Sequence, residues 1–348
     1  MNILRRMLVR GLQNEALNHL VHLANANRLA VLCYHGVVEE RLGPEHHQFR
    51  TTVSASDFAE QMQWLSRWFT PVSATAVRDW RPGRGALPRH PLLVTFDDGY
   101  RNNFTLAAPI LRKYGVPAVF FVSTGYIEAD RLYWYDELKL RLLAWRGRDI
   151  RVPGLSESQL WPGEPGARRA FAQRISAGCK AIPNDARLEY TDYVRRETPE
   201  WSLGNAERET IRPMNWDEVR SLANQGFEIG SHSVDHPILS QLDPAELRRE
   251  LRDSKSRIEE ITGKSCFAIA YPNGKTRDVS PAVVAETEAA GYELGFIMDE
   301  RLHRPTGNCF SISRISAVGH VPPGAMRVRV SGLRGLLDSV FDAETRRR

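Results

Sequence analysis

The stretch PLLVTFDDGY, residues 91–100, passes from six mostly apolar residues directly into two adjacent carboxylates, Asp97 and Asp98. A short apolar run of this kind predicts a strand that is buried on both faces of a parallel sheet. Ligands of α/β proteins gather at the carboxyl ends of such strands, which is where the two aspartates stand. Two carboxylates a few ångströms apart repel each other unless one binds a cation or keeps a proton. The stretch therefore predicts a buried strand with a charged site at its end.

Five further apolar runs continue this pattern on both sides of the stretch. They are LAVLCY (29–34), PAVFFV (117–122), GFEIG (226–230), CFAIAY (266–271) and ELGFIM (293–298). Helical patterns lie between these runs, and residues suited to capping mark where the helices begin and end. The candidate N-caps are Ser54 or Ser56, Asn215 and Asp243, and the candidate C-terminal glycines are Gly115, Gly226, Gly263 and Gly291. The alternation predicts an α/β fold in which helices cover a sheet of parallel strands.

The composition is that of a globular protein and limits the classes of partner and compartment. The 348 residues are 42% apolar and 26% charged, which allows one large domain or two ordinary ones. The formal charge of +5 is mild and the basic residues are spread along the chain, so we expect no nucleic-acid partner. No secretory signal is evident and the four cysteines are far apart. These features favour a reduced chain in the cytoplasm, with the inner face of the membrane as one location there.

The chain is predicted to consist of three segments. Residues 1–28 form an amphipathic helix, residues 29–325 the main α/β domain, and residues 326–348 a second helix with a basic tail. The first helix is predicted from apolar residues at helical spacing, namely Leu4, Met7, Leu8, Leu12, Leu17, Leu20, Val21 and Ala24. Such a helix more often packs on its own domain than makes a peripheral membrane contact, and both interpretations stay open. Residues 131–213 interrupt the alternation and are predicted to be a mostly helical insertion over one end of the sheet.

A second group of candidate ligands follows the run GFEIG. In SHSVDHP (231–237), His232 and His236 are four residues apart, and Pro237 favours a turn over a helix. Either arrangement can bring both imidazoles to one ion. If Asp98 joins them, three ligands hold a divalent metal with other positions open, and Asp97 is left free to act as a base. An isolated DDG is more often a solvated turn, but a histidine pair at another strand end favours the metal site.

The segments TFDDGY, SHSVDH and AYPNG resemble the motifs of the polysaccharide deacetylase family, also called the NodB-homology or carbohydrate esterase 4 family. The likeness runs from LCYHGV to FSISRISAV, and the third segment looks like the biosynthetic subgroup with a YPxG pattern. The resemblance implies a distorted (β/α) barrel, TIM-like in architecture, that hydrolyses N-acetyl or O-acetyl groups on sugars. It also implies roles for site residues: Asp97 as general base, Asp98, His232 and His236 as metal ligands, and Tyr271 as the donor of a backbone N–H to the acyl oxygen.

The chain departs from the family's pattern, and other residues are predicted to fill the vacant roles. The arginine that precedes the third motif, the Asp-x-x-Asp-Trp motif and the late Leu-x-His motif are not visible. We predict that Arg314 in SISRIS pairs with Asp97 in place of the missing arginine, and that His35 in LCYHGV supplies the acid to the leaving amine. The aromatic residues of the insertion either stack on sugar rings or belong to a core. The predicted substrate-binding residues are Tyr100, Trp134, Pro272, Asn273 and Arg314.

These features favour a metal-dependent hydrolase that removes N-acetyl groups from a hexosamine in a polysaccharide or glycolipid precursor, which is its expected partner. Zinc is the predicted metal, and cobalt, nickel or iron would suit the same ligands. One alternative is a deformylase or O-deacetylase that acts on a lipid-linked sugar, and another is a non-catalytic carbohydrate-binding protein on the same barrel. A magnesium-dependent phosphohydrolase is disfavoured because magnesium prefers oxygen ligands. The sequence predicts no oligomeric state.

Overall fold

Seven parallel strands form a closed barrel in this protein. The structure, a computed structural model, describes residues 15–40, 51–80, 85–129, 131–304, 307–317 and 323–333. The strands are β1 (Ala30–Tyr34), β2 (Gly36–Val38), β3 (Thr52–Ser54), β4 (Thr70–Pro71), β5 (Pro91–Phe96), β6 (Ala118–Val122), β7 (Asp149–Ile150), β8 (Gln159–Leu160), β9 (Glu228–Ser231), β10 (Ala268–Ala270), β11 (Leu294–Met298) and β12 (Ile312–Ser316). The helices are α1 (Glu15–Ala24), α2 (Ala55–Trp68), α3 (Ala74–Asp79), α4 (Ala108–Tyr114), α5 (Trp134–Leu143), α6 (Pro165–Cys179), α7 (Asn184–Glu197), α8 (Asn205–Ile211), α9 (Trp216–Asn224), α10 (Pro244–Thr262), α11 (Pro281–Ala289) and α12 (Pro323–Val330).

The barrel closes because β1 pairs with a strand on each side. The strand order is β1-β12-β11-β10-β9-β6-β5, and β5 returns to pair in parallel with β1 from Ala30↔Leu92 to Tyr34↔Phe96. The short β4 also pairs with β5, at Thr70↔Pro91 and Pro71↔Leu92. Closure leaves the seven barrel strands without a free edge between them. The predicted (β/α) barrel is confirmed.

The six apolar runs of the sequence all become barrel strands. β5 has the predicted bounds, and the other five differ by no more than two residues at either end. Every residue of β1, β5 and β6 is buried, as expected for strands covered on both faces. The seventh strand, β12, has the sequence ISRIS, and it was hidden from the apolar pattern by its polar residues.

Capping residues fix the helix ends close to the predicted positions. The Ser54 hydroxyl accepts the Asp57 N–H at 3.1 Å and begins α2. Asn215 forms a reciprocal capping box at the start of α9, and the Asp243 carboxylate accepts two N–H groups at the start of α10. Gly115 and Gly263, each with φ of +65°, end α4 and α10 in the left-handed conformation that costs glycine least. These ends direct the chain back to the barrel.

The chain between β6 and α9 contains a helical layer with a core of its own. It contains α5, α6, α7 and α8 together with the antiparallel hairpin of β7 and β8. Trp134, Trp145, Trp161, Ile175 and Val194 are among the buried residues of this core, which is separate from the two apolar clusters of the barrel. The insertion bounds of 131–213 and the other segment bounds stay predictions.

The helices at the two ends of the described chain are joined by a hydrogen bond. The side-chain amide of Asn25, after α1, donates to the Ser331 carbonyl, after α12, at 2.7 Å. Leu20 and Leu23 of α1 are 63% and 43% exposed. Leu4, Met7, Leu8, Leu12 and the basic tail lie outside the described residues, so the peripheral membrane contact stays a prediction. Among the described helices, none has the length and apolar character needed to cross a membrane.

Candidate metal and catalytic site

The carboxyl ends of the barrel strands bring the predicted site residues to one face. The residues that follow each strand are His35 after β1, Asp97 and Asp98 after β5, His232 and His236 after β9, and Tyr271, Pro272 and Asn273 after β10. Parallel strands end on the same side of a barrel, which is why separate segments of the sequence meet there. Arg314 reaches the same region from inside β12.

Asp98, His232 and His236 form a buried cluster that fits one metal ion. The Nε2 atoms of His232 and His236 each lie 3.5 Å from Asp98 Oδ1. Ligand atoms that share an ion at bond lengths of about 2.0–2.1 Å are separated by roughly 3 to 3.5 Å. Two imidazoles and a carboxylate are ligands that suit zinc and its neighbours in the first transition row.

The two imidazoles point their Nε2 atoms towards Asp98. His232 Nδ1 lies 2.6 Å from the Ala270 carbonyl oxygen, so Nδ1–H donates there and the tautomer is fixed. Burial acts to lower the pKa of His232, but Asp97 and Asp98 raise it. Burial and His232 lower the pKa of His236 to about 3, which keeps that ring neutral. A neutral imidazole with its second nitrogen held by a hydrogen bond is the usual metal-binding form.

Asp98 gives the clearest indication of a cation. Both of its carboxylate oxygens are buried, and neither has a hydrogen-bond partner among the described residues. Burial acts to raise the pKa of Asp98, but His232, His35 and His236 hold it well below its usual value, so the group is charged. A buried charge without a partner is strongly destabilising. A divalent cation would supply the missing partner.

Cys33, His35 and Asp97 form a second group of candidate ligands beside the first. Their donor atoms are less suitable, because both oxygens of Asp97 already accept hydrogen bonds from Arg314. Burial raises the pKa of Cys33 well above its usual value, and the thiol donates to Asp97 Oδ2 at 3.4 Å. A protonated thiol is a poor metal ligand. The first group is therefore the better candidate.

The backbone is held in an unfavourable conformation where it presents two of these ligands. Asp98 has φ of +72° and His236 has φ of +52°. Left-handed backbone costs a residue other than glycine roughly 1–3 kcal/mol and is found disproportionately at functional sites. Gly99 continues the turn with φ of +69°, in a position where a Cβ atom would press against Val122 and Ile127. Two separate turns, one after β5 and one after β9, thus present the two side chains to one cluster.

Asp97 and Arg314 form a buried bidentate pair. Arg314 Nη1 donates to Asp97 Oδ1 at 2.7 Å, and Nη2 donates to Oδ2 at 2.8 Å. Burial acts to raise the pKa of Asp97, but Arg314 lowers it to about 2, so the carboxylate is ionised. This is the pairing of Arg314 with Asp97 that the sequence predicts. Arg314 is 0% exposed, so its predicted substrate contact is not supported.

His35 lies beside the two aspartates. One of its ring nitrogens is within 4.8 Å of the Cys33 sulfur and of an Asp97 oxygen. Its Nδ1 is buried and has no hydrogen-bond partner in the described chain. Burial lowers the pKa of His35, while Asp98 and Asp97 act to raise it. The position suits proton transfer, and the role of acid stays a prediction.

The backbone N–H of Tyr271 is already engaged in a hydrogen bond. Its N–H donates to the Phe296 carbonyl at 3.2 Å, and its ring lies in the barrel core. The pairing of β10 with β11 therefore continues through Tyr271. It uses the N–H that was expected to stabilise the acyl oxygen, so this geometry does not support that role. Pro272 is buried, and Asn273 is half-buried with φ of +60°.

Trp134 and Tyr100 also differ from their predicted roles. Trp134 is 6% exposed and packs in the core of the insertion, where Arg187 lies over its ring. Tyr100 is 2% exposed, and its hydroxyl donates to Asp136 Oδ2 at 2.7 Å. Neither ring is available to stack on a sugar, because each faces protein. Burial raises the pKa of Asp136 to about 6, since the carboxyl group is enclosed by the insertion.

The neighbours of Trp134 reach the site instead. The Tyr133 hydroxyl donates to the Asp98 carbonyl oxygen. The Tyr135 ring lies 5.1 Å from the His236 ring, and its hydroxyl is buried without a partner in the described chain. Trp134 begins α5 and packs in the core of the insertion. Tyr133 and Tyr135, on either side of it, therefore face the barrel.

Lys180 was missed by sequence reasoning. It follows α6, and its Nζ donates to Asn273 Oδ1 at 2.7 Å, across 93 residues of chain. It also interacts electrostatically with Asp98. No motif surrounds Lys180, so the sequence carries no signal that would have placed it at the site.

The chain is similar to a curated protein and to several solved structures. It is 33% identical over 181 residues to poly-beta-1,6-N-acetyl-D-glucosamine N-deacetylase of Escherichia coli strain K12, a match that covers 49% of this chain. The match covers 26% of that relative, so this chain spans about a quarter of its length.

Two solved structures show the same fold. Streptococcus pyogenes deacetylase PplD in complex with acetate matches with a TM-score of 0.56 and 18% identity over 86% of this chain and 96% of that one. A de-N-acetylase from Aggregatibacter actinomycetemcomitans matches with a TM-score of 0.57 and 17% identity over 87% and 99%. At these identities the likeness concerns the fold alone.

The family model described as polysaccharide deacetylase matches residues 84–161 and 191–295, more than half of the chain. The matched segments contain Asp97, Asp98, His232 and His236, and the unmatched residues 162–190 lie between β8 and α7 and within α7. The match therefore includes both strand ends that supply the metal cluster. This chain belongs to the polysaccharide deacetylase family, a family of hydrolases that act on carbon–nitrogen bonds other than peptide bonds.

Proposed function

We propose that this protein is a metal-dependent hydrolase that removes N-acetyl groups from hexosamine residues of a polysaccharide or glycolipid precursor. The observation that carries the proposal is the charged and buried Asp98, which faces His232 and His236 beside the ionised Asp97 and whose carboxylate oxygens have no hydrogen-bond partner among the described residues. Membership of the family and the name of the Escherichia coli relative support a polymer of N-acetylglucosamine as the first substrate to test.

Each residue has a distinct part in this proposal. Asp98, His232 and His236 would hold a divalent ion. A divalent ion lowers the pKa of water and polarises an acyl carbonyl. Asp97 accepts a proton from the attacking water as the carbon–nitrogen bond is hydrolysed, and Arg314 keeps both Asp97 oxygens fixed. His35 is the candidate to deliver a proton to the leaving amine nitrogen.

The experiment separates metal binding from turnover. Asp97→Asn should keep the wild-type metal content and lower turnover by at least about 100-fold, since a general base contributes about 10²–10⁴. Asp98→Asn should lose both the metal and turnover. His35→Ala should keep the metal and lower turnover. Metal content would be measured by plasma mass spectrometry, and turnover by acetate release from N-acetylglucosamine oligosaccharides.

The controls distinguish this function from its alternatives. Asp79→Asn, an exposed carboxylate on α3, should leave metal content and turnover unchanged. Release of formate rather than acetate would indicate a deformylase, and release from esters alone would indicate an O-deacetylase. A carbohydrate-binding protein would release neither and would bind saccharide equally well as Asp97→Asn. An active protein that contains no metal and tolerates chelators would overturn the proposal.

A further inference from the structure

Lys180 brings a positively charged side chain to the edge of the site. The residue is half-buried, and its hydrogen bond goes to a neutral amide oxygen, Asn273 Oδ1. Within the described part of the chain, no carboxylate forms an ion pair with its ammonium group. An ammonium group has three N–H donors, so two remain for a ligand. Burial of a charge is normally tolerated only with a partner of opposite charge.

Two further lysines increase the positive charge at this place. Lys139 of α5 and Lys275, which follows Gly274, act on Lys180 as like charges. The chain has only six lysines, and three of them act together here, so this charge is a local concentration and not part of an evenly basic surface. Burial and these two neighbours lower the pKa of Lys180 to about 8, which means that the folded protein disfavours its charged form.

The carboxylates near Lys180 have other partners. Asp278 accepts the Lys275 N–H at 3.1 Å and a hydrogen bond from the Asn273 amide. Asp136 accepts the Tyr100 hydroxyl. Asp98 faces the two histidines of the metal cluster. Asp278 and Asp98 do act to raise the pKa of Lys180, but their influence is smaller than that of burial and the two lysines.

We propose that Lys180, with Lys139 and Lys275 beside it, binds a negatively charged group of the substrate, a carboxylate or phosphate carried by the acylated sugar or by its neighbour in the chain. Charge-assisted hydrogen bonds from the ammonium group would supply its missing partner. The inference rests on the proposed function and narrows its substrate class to acidic N-acetylated sugars. Lys180 lies within residues 162–190, which the family model does not match, so the insertion would add specificity to chemistry that belongs to the barrel.

Matched pairs of substrates test the inference. One pair is an N-acetylglucosamine oligosaccharide with a neighbouring glucuronate and the same compound with its carboxyl group reduced. The other is N-acetylglucosamine 1-phosphate and methyl N-acetylglucosaminide, so the two pairs separate carboxylate from phosphate. The wild type should prefer the charged member of one pair by about tenfold or more in kcat/KM, the effect expected of a charge-assisted hydrogen bond.

Variants of Lys180 distinguish ligand binding from structural support. Lys180→Gln, which keeps a donor for Asn273, should reduce the preference to about onefold, and Lys180→Arg should keep most of it. Lys113→Gln on α4, a distant exposed lysine, should leave both the preference and the rate unchanged. If Lys180→Gln lowers kcat/KM equally for both members and keeps the preference, Lys180 only supports the Asn273 turn and the inference is overturned.

Calorimetric binding of the same saccharides gives a readout that needs no turnover. A wild type that treats both members of each pair alike, in rate and in binding, overturns the inference while leaving the proposed function intact. Preferential binding of a charged member, lost in Lys180→Gln but without hydrolysis of any compound, supports Lys180 as an anion ligand and overturns the proposed function. Thermal unfolding would confirm that each variant is folded.

Discussion

Arg314 reaches Asp97 from β12, past β1, which lies between β12 and β5 in the barrel. The pair is buried, and the two parallel hydrogen bonds fix the orientation of the carboxylate as well as its charge. A single arginine therefore determines both the protonation state and the position of the candidate base. The loss of either partner would leave the other as a buried charge without compensation.

Replacement of Arg314 by methionine should destabilise the protein and lower turnover together. We expect the free energy of unfolding to fall by about 3–5 kcal/mol, because Asp97 would remain buried without its partner. Urea denaturation and acetate release would measure the two effects. The double variant Arg314→Met with Asp97→Asn should recover part of the stability but none of the turnover. Full activity in Arg314→Met would exclude Arg314 as the positioning residue of the base.

The predictability of the site differs from residue to residue. Asp97, Asp98, His232 and His236 could be predicted because each lies in a short motif directly after a strand, where local sequence and position agree. Lys180 could not, because its place at the site depends on how a separate helical layer packs on the barrel. The N–H of Tyr271 could not either, since its pairing with β11 depends on where a neighbouring strand ends.

β12 illustrates how a functional residue can hide a structural element. Strands buried on both faces are recognised by continuous apolar runs, but β12 alternates isoleucine with serine and arginine. Arg314 is tolerated in its interior because Asp97 neutralises its charge. Among the six other barrel strands, the one charged residue within the described bounds is Glu228, which is half-buried at the start of β9. The apolar pattern located all six strands.

Gly230 in β9 is predicted to tolerate no side chain. A Cβ atom at this position would overlap the ring of Phe121 in the adjacent β6, although the glycine itself has an ordinary backbone conformation. Gly230→Ala should therefore lower the free energy of unfolding by about 1–3 kcal/mol through overpacking. Denaturant unfolding would measure the change.

A rescue variant and a matched control make this prediction specific to the contact. Gly230→Ala combined with Phe121→Leu should be less destabilised than the sum of the single variants, because the smaller side chain makes room. Gly178→Ala in α6 has only ordinary contacts with Pro153 and should be neutral or stabilising by about 0.5–1 kcal/mol. Additive effects of Gly230→Ala and Phe121→Leu would show that the two residues do not share one space.

At the scale of the whole molecule, the metal cluster connects parts of the chain that are distant in sequence. Asp98 follows β5 and the two histidines follow β9, with β6 between these strands. The three ligands come together only in the folded protein, so an ion that binds them stabilises the folded state by mass action. Metal binding and global stability should therefore be linked.

Removal of the metal should lower the stability of the whole protein. With zinc at about 100 times its dissociation constant, the free energy of unfolding should exceed that of the chelated protein by about 2.7 kcal/mol. Urea denaturation with zinc and with a chelator would measure the difference. Asp98→Asn should have the same free energy of unfolding with zinc and with the chelator. Asp79→Asn should show the same difference between the two conditions as the wild type. A wild type whose unfolding does not respond to metal would contradict the assignment of the cluster.

The four cysteines differ sharply in their access to reagents. Cys33, Cys179 and Cys266 are buried, and burial raises the pKa of each thiol, so the nucleophilic thiolate is disfavoured at all three. Cys309 is half-buried and precedes β12, at the end of the barrel opposite to the site. A maleimide dye should therefore label the native protein at Cys309 first. Fluorescence of the dye at Cys309 would report conformational change, and the dye would not block the catalytic groups.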